Sequence, residues 1–194
     1  HPISTGMIHI GKDLDNNPVS LNPIKFTIDG ILKFNGPALI SGGSTITIWG
    51  GMIEFGKNVA IGSGVQLKCV NEIIIGNYTR IISLCVVMDT NVHFIKNIET
   101  GKIKRSNAPV KIGDNCWINS SSIITKGTII PDYCITAQNT LMNKDYSKSC
   151  NSHTFFAGSP AKPVSENIQR IFDYKEEKRL KYFFNKNQNI DELI

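Results

Sequence analysis

Between residues 112 and 140 the sequence advances in steps of six. Ile112, Ile118, Ile124, Ile130 and Thr136 share one phase. Four residues after each, Cys116, Ser122, Thr128, Cys134 and Thr140 share a second, and all five are small. The same step runs upstream through Phe55, Ile61 and Leu67, through Ile75, Ile81 and Val87, and more loosely through Phe34, Ile40 and Ile46. The offsets between these blocks are not multiples of six, so short insertions separate them. Six is neither the period of a helix nor that of an ordinary strand. It suits a triangular coil, in which each face is one short strand with a large aliphatic pointing inward and a small residue helping to turn the corner. Three faces use about eighteen residues, and successive turns stack at the strand spacing of about 4.8 Å. Residues 34–141, less one long interruption, supply about five such turns. Stacked aliphatic ladders account for the 30 isoleucines and for aromatics at only 8%, a composition that favours strands over a helical bundle. A β-sandwich with an accidental hexad would not keep both phases together.

The rest of the composition narrows the function. Of 194 residues, 41% are hydrophobic and 19% charged, enough for a core and too apolar for a disordered chain. The net charge of +5 is spread along the chain apart from Lys102–Arg105 and Lys175–Lys181. Nucleic-acid binding would concentrate it and add stacking aromatics, so no nucleic-acid partner is expected. Five cysteines, an odd number without a C-x-x-C, argue against a disulfide framework or a zinc ribbon. A cytoplasmic location fits them. No apolar run approaches a membrane span and no signal-peptide pattern is visible. The chain begins at His1-Pro2 and not at Met, which leaves room for a preceding segment.

Two segments flank the coils. Residues 1–33, with turn signals at Asn16-Asn17-Pro18 and Asp29-Gly30, read as an N-terminal cap. Residues 34–164 form the repeat domain. In 165–194, Ile168, Ile171, Phe172, Lys175 and Arg179 follow Ser165 at helical spacing, which predicts a helix over 165–184 capped by Ser165. That helix would pack on its own oligomer. Its basic, Phe-bearing character leaves peripheral membrane association as the alternative.

The interruption of the hexads, residues 93–109, is the first functional suspect, because a solenoid seldom throws out a loop without use. It opens on His93, one of four histidines, and histidine is the natural base near neutral pH. The run Asp89-Thr90-Asn91-Val92-His93, then Glu99-Thr100-Gly101-Lys102, then Pro109-Val110-Lys111-Ile112-Gly113-Asp114-Asn115-Cys116-Trp117-Ile118 resembles the hexapeptide-repeat acyltransferases, in particular their sugar and polysaccharide O-acetyltransferase branch. Further on, Ala137 to Asp145 and Lys126-Gly127-Thr128-Ile129-Ile130-Pro131 resemble stretches of that family. Ala157-Gly158-Ser159-Pro160-Ala161-Lys162 is similar to its Ala-Gly-x-Pro-Ala-Lys signature.

The resemblance implies an all-β fold: a left-handed parallel β-helix of hexapeptide repeats with a C-terminal α-helix. It implies acetyl-CoA as co-substrate, no metal, and a homotrimer with active sites between subunits. Residue by residue, it makes His93 the general base that an alcohol needs to attack a thioester. Asp89 would orient the imidazole, and the backbone N–H of Ser120 would meet the oxyanion. Trp117 would lie beside the pantetheine arm or pack a corner. Lys126, Lys144 and Lys162 would meet the phosphates of CoA, with Gly158 allowing close backbone approach and Pro160 fixing the turn. The chain departs from the family at Asn119, where the family has Gly, and a left-handed conformation is expected there. It departs again at Gln138 and Asn139. No cysteine sits by His93, so direct transfer without an acyl-enzyme is expected, with Cys116 and Cys134 as core residues.

The expected function is transfer of an acetyl group to a sugar hydroxyl on a polysaccharide, a lipid-linked oligosaccharide or a small saccharide. The rivals are an amino sugar or serine as acceptor, and a non-catalytic β-helical scaffold. Four scattered histidines do not offer the zinc site of the carbonic anhydrases that share the fold.

Overall fold

The computed structural model describes residues 7–11 and 22–193. Its strands wind into a parallel β-helix of about six turns, with three faces. The first coil holds β1 (Ile8–Ile10) and β2 (Lys25–Phe34), the second β3 (Ala38–Ile40) and β4 (Thr45–Phe55). The third holds β5 (Val59–Ile61), β6 (Gln66–Cys69) and β7 (Glu72–Ile75). In the fourth, β8 (Arg80–Ile81) and β9 (Val86–Met88) precede a loop carrying the antiparallel hairpin β10 (Ile95–Lys96) and β11 (Ile103–Lys104), after which β12 (Val110–Ile112) closes the coil. The fifth holds β13 (Trp117–Ile118), β14 (Ile123–Ile124) and β15 (Ile129–Ile130), and the sixth β16 (Ile135–Thr136) and β17 (Leu141–Met142). β18 (Phe155–Ala157) continues the first face, and β19 (Lys162–Ser165) turns back against it. One helix among the described residues, α1 (Tyr174–Lys186), follows.

Both hexad phases are realised. Along the first face Ile61, Ile81 and Ile118 align by register, along the second Ile46, Leu67, Val87, Ile124 and Met142, and along the third Phe34, Phe55, Ile75, Ile112 and Ile130. Apart from half-buried Phe34, all are buried, forming one continuous core. The small phase has a bonding role as well as a steric one. Its side chains donate to carbonyls of the next coil: Thr79 to Gly113 (2.7 Å), Ser122 to Ala137 (3.1 Å) and Thr128 to Met142 (3.1 Å). Each gives a buried hydroxyl an acceptor at a corner of the coil. The Ile112-Gly113-Asp114 turn stacks on Ile130-Pro131-Asp132 for a related reason. Asp132 accepts the Asp114 N–H at 2.7 Å, and a Cβ on Gly113 would lie 2.4 Å from the Asp132 carboxylate.

Two expectations change. Much of the segment assigned to an N-terminal cap belongs to the coils, because β2 runs parallel to β4 from Lys25 to Phe34; residues 1–6 and 12–21 lie outside the described residues. The helix starts later than Ser165. Ser165 pairs with Phe155 across β18 and β19, and the cap is Asp173, whose carboxylate accepts the N–H groups of Lys175 (2.8 Å) and Glu176 (3.3 Å). No residue of α1 is buried.

Candidate active site

The candidate residues divide between two edges of the prism. Residues 119–122 turn from the first face to the second, and above them Asn139 donates to the Ser120 carbonyl (3.1 Å). One coil further on, Leu141 donates to the Gly158 carbonyl (3.0 Å) and Ala161 to the Leu141 carbonyl (2.8 Å). Ser120, Gly158 and Pro160 thus share one edge, and Lys162 follows them at the start of β19. Gly158 has φ +96° and the Ser159-Pro160 bond is cis.

The loop that carries His93 leaves from the next edge, between the second and third faces. It is held there by Ala108 N–H to the Asp89 carbonyl (2.9 Å), by Gly127 N–H to the Ala108 carbonyl (3.2 Å) and by Lys126 Nζ to the Arg105 carbonyl (2.6 Å). Lys126 and Lys144 lie on this edge, Lys144 with its ammonium 5.2 Å from the Tyr146 ring centre. Under the hairpin is a cavity of about 510 Å³, lined by His93 together with Lys102, Lys104, Arg105 and Lys126. The imidazole is exposed to it. His93 and Ser120 of one chain therefore stand on different edges.

Asp89 does not orient His93. Its carboxylate is buried and accepts the N–H groups of Val70 (2.9 Å), Asn71 (2.6 Å) and Glu72 (2.8 Å), with the Cys69 thiol at 3.5 Å. It pins the corner of the coil before, where three consecutive donors would otherwise lack acceptors. Asp89→Asn should lower stability by about 2 kcal/mol, because an amide sets its own donors against N–H groups. The folded variant should keep kcat within about twofold of the parent, since Asp89 does not touch the imidazole. Urea unfolding and kinetics on the same preparation separate the two.

Asn119 also differs from expectation. The left-handed residue of this corner is Ser121 (φ +61°), not Asn119. The Asn119 N–H is held by Thr136 Oγ1 (2.9 Å), and its side-chain oxygen accepts the Ser120 N–H at 3.0 Å. The donor expected to meet an oxyanion is thus covered by its neighbour's amide. Trp117 lies on the outer side of the first face, off both edges. The Arg170 guanidinium sits 5.0 Å from its ring centre, and its buried indole N–H has no partner among the described residues.

Other residues around the cavity, among them Ile95 and Ser106, carry no motif. Their signal was the strand alternation on either side of Asn97 to Gly101. There Asn97 Oδ1 closes the turn by accepting from Glu99 (3.0 Å) and Thr100 (2.7 Å). The buried thiols are poor nucleophiles. Burial raises Cys85 and Cys134 to about 11, and burial with the nearby Asp89 carboxylate raises Cys69 to about 12. Burial also pushes Cys116 up, and a thiol in this state is inert. Among the described residues no group of histidine, cysteine and carboxylate side chains could hold a metal, and no helix is long and apolar enough to cross a membrane.

No protein-family model matches the sequence, and no curated protein matches it. Solved structures do match by shape. A variant of AntD, an N-acyltransferase from Bacillus cereus, in complex with dTDP-4-amino-4,6-dideoxyglucose and coenzyme A, superposes with a TM-score of 0.63 at 14% identity. The match covers 91% of this chain and 88% of that one. AntD with dTDP and 3-hydroxybutyryl-CoA gives 0.57 at 16% identity, covering 86% of each chain. At such identities the likeness is one of fold, and that fold is a left-handed β-helix.

Proposed function

We propose that this chain is an acetyl-CoA-dependent O-acetyltransferase that works as a homotrimer and modifies a carbohydrate hydroxyl. The observation that carries the reading is the division of the candidate groups between two edges. One edge bears an exposed base in a cavity; the other bears a backbone donor and the Gly158–Pro160 turn. Around a threefold axis parallel to the coil, the first edge of one chain meets the second edge of its neighbour, and each interface completes one site. AntD, which shares the fold, was solved with coenzyme A, and this supports the choice of acyl donor.

The chemistry follows from the residues. His93 takes the proton of the acceptor hydroxyl as that oxygen bonds to the thioester carbonyl carbon. The Ser120 N–H of the neighbouring chain donates to the carbonyl oxygen as negative charge builds on it. The carbon–sulfur bond then breaks, and the imidazolium returns the proton to the departing thiolate. Gly158 and Pro160 would flank the pantetheine arm, and Lys144 and Lys162 would meet phosphates. Lys126, tied to the Arg105 carbonyl, would brace the loop.

For the N–H of Ser120 to act, the Asn119 amide must swing away. Asn119→Gly should therefore raise kcat by up to about tenfold with little change in KM for acetyl-CoA. A fall in kcat would show that the amide aids the reaction.

Thiol release from acetyl-CoA over a panel of sugars, amino sugars and serine tests the function. Turnover on a hydroxyl is expected. No turnover, with no acetyl-CoA binding by calorimetry, would leave a scaffold. An amine acceptor is the second reading, because AntD is an N-acyltransferase; hydroxylamine cleaves an ester product and spares an amide.

A further inference from the structure

The cavity beneath the hairpin is strongly and one-sidedly charged. Lys102, Lys104, Arg105 and Lys126 line it, and no Asp or Glu does so among the described residues. Lys126 is committed to the Arg105 carbonyl. None of Lys102, Lys104 and Arg105 has an ion pair among the described residues, although the chain carries 16 acidic residues that could have supplied one. Three unneutralised cations around one concavity repel one another. The arrangement becomes favourable when an anion enters, and Arg105 can then grip a carboxylate or phosphate with two parallel hydrogen bonds.

His93 lines the same cavity. On the proposed function, on which this inference rests, the imidazole lies at the reacting carbonyl. The phosphates of CoA are at the far end of the pantetheine arm from that carbonyl. Cations sharing a 510 Å³ cavity with the base are therefore beside the acceptor and not beside the phosphates of CoA. We infer that the acceptor is an anionic saccharide, with a carboxylate or phosphate held by Lys104 and Arg105 while a nearby hydroxyl faces His93. Asn91 and Ser106, also in the lining, supply hydrogen-bonding groups for the remaining hydroxyls, and Ile95 an apolar wall for a ring face. The volume is in the range of small-ligand pockets.

The test needs no acetyl-CoA. The ring-proton signals of His93, identified by their loss in His93→Ala, are followed by NMR at constant pH and ionic strength. The probes are glucuronate, inorganic phosphate and glucose, added to the full chain. One or both anions should shift the His93 signals with an affinity about tenfold or more above that of glucose. The double variant K104Q/R105Q should lose that response. A response to glucuronate alone identifies a ring carboxylate, and one to phosphate alone a phosphorylated sugar. No anion response, or a response unchanged in the double variant, overturns the proposal. The two readings fail separately. Anion binding without acetyl-CoA binding would remove the transferase and keep the anion site. Turnover as fast on glucose as on glucuronate and glucose 1-phosphate, with K104Q/R105Q raising KM only for acetyl-CoA, would keep the transferase and assign the cations to CoA.

Discussion

His93→Ala should lower kcat for acetyl transfer by a factor of about 10² to 10⁴, the span over which a positioned base acts. KM for acetyl-CoA and the unfolding midpoint should stay at the parent values. The side chain is exposed at the mouth of the loop cavity, and the residue's role in the loop is carried by its backbone, through the N–H to the Asn91 carbonyl at 2.7 Å. Truncating the side chain removes the base and leaves that bond. A fall in kcat together with a lower midpoint would instead make His93 a structural residue of the loop. A kcat within threefold of the parent would place the base elsewhere.

Ile118→Ala should cost about 2 to 5 kcal/mol. Ile118 is fully buried and pairs in register with Ile81. In a solenoid each coil is supported chiefly by its neighbours, so a void in the fifth coil weakens contacts above and below it. The control is Ile123→Ala. Ile123 is outward-facing and 42% exposed, and its loss should cost less than about 1 kcal/mol. Equal costs in urea unfolding would show that the hexad phase does not set which isoleucines hold the fold.

The hexad made the coils legible because it is a packing rule. Every sixth residue points inward, and only an aliphatic of the right size fits against those of the adjacent coils. The backbone corners were less visible. Residues with positive φ also recur every six, at Asn115, Ser121, Gly127, Tyr133 and Asn139, yet Ser and Tyr carry no strong preference for that conformation. The first coil was hidden for a different reason. β2 and β4 continue through a corner without a break in strand, bending at Gly30 and at Gly50-Gly51, so the hexad lapses there. The helix start failed because two residues offer cap chemistry. Ser165 was claimed by strand pairing, and the stretch between it and Asp173 is held to the coil, by Ile168 N–H to the His153 carbonyl at 3.1 Å and by Arg170 over Trp117.

The candidate site shows the same split. The loop and His93 could be found because an insertion in a regular repeat announces itself. The partner of Asp89 could not. The two lie four positions apart in sequence, but the aspartate points inward and back to residues 70–72 while the histidine leaves with the loop. The cover that Asn119 places over the Ser120 N–H depends on a side-chain torsion, which spacing does not encode.

The central claim is that each site is completed by two chains, one supplying His93 and its neighbour the Ser120 N–H. It is tested most directly by mixing two inactive variants, His93→Ala and Ser120→Pro. The second removes an N–H that takes no part in the strand ladder, being bound among the described residues only to the Asn119 side chain. Unfolded together in equal amounts and refolded, the pair should recover about a quarter of the parent activity, because one interface in four then joins an intact His93 to an intact Ser120 N–H. No recovery above the separately refolded variants would contradict a site shared between chains.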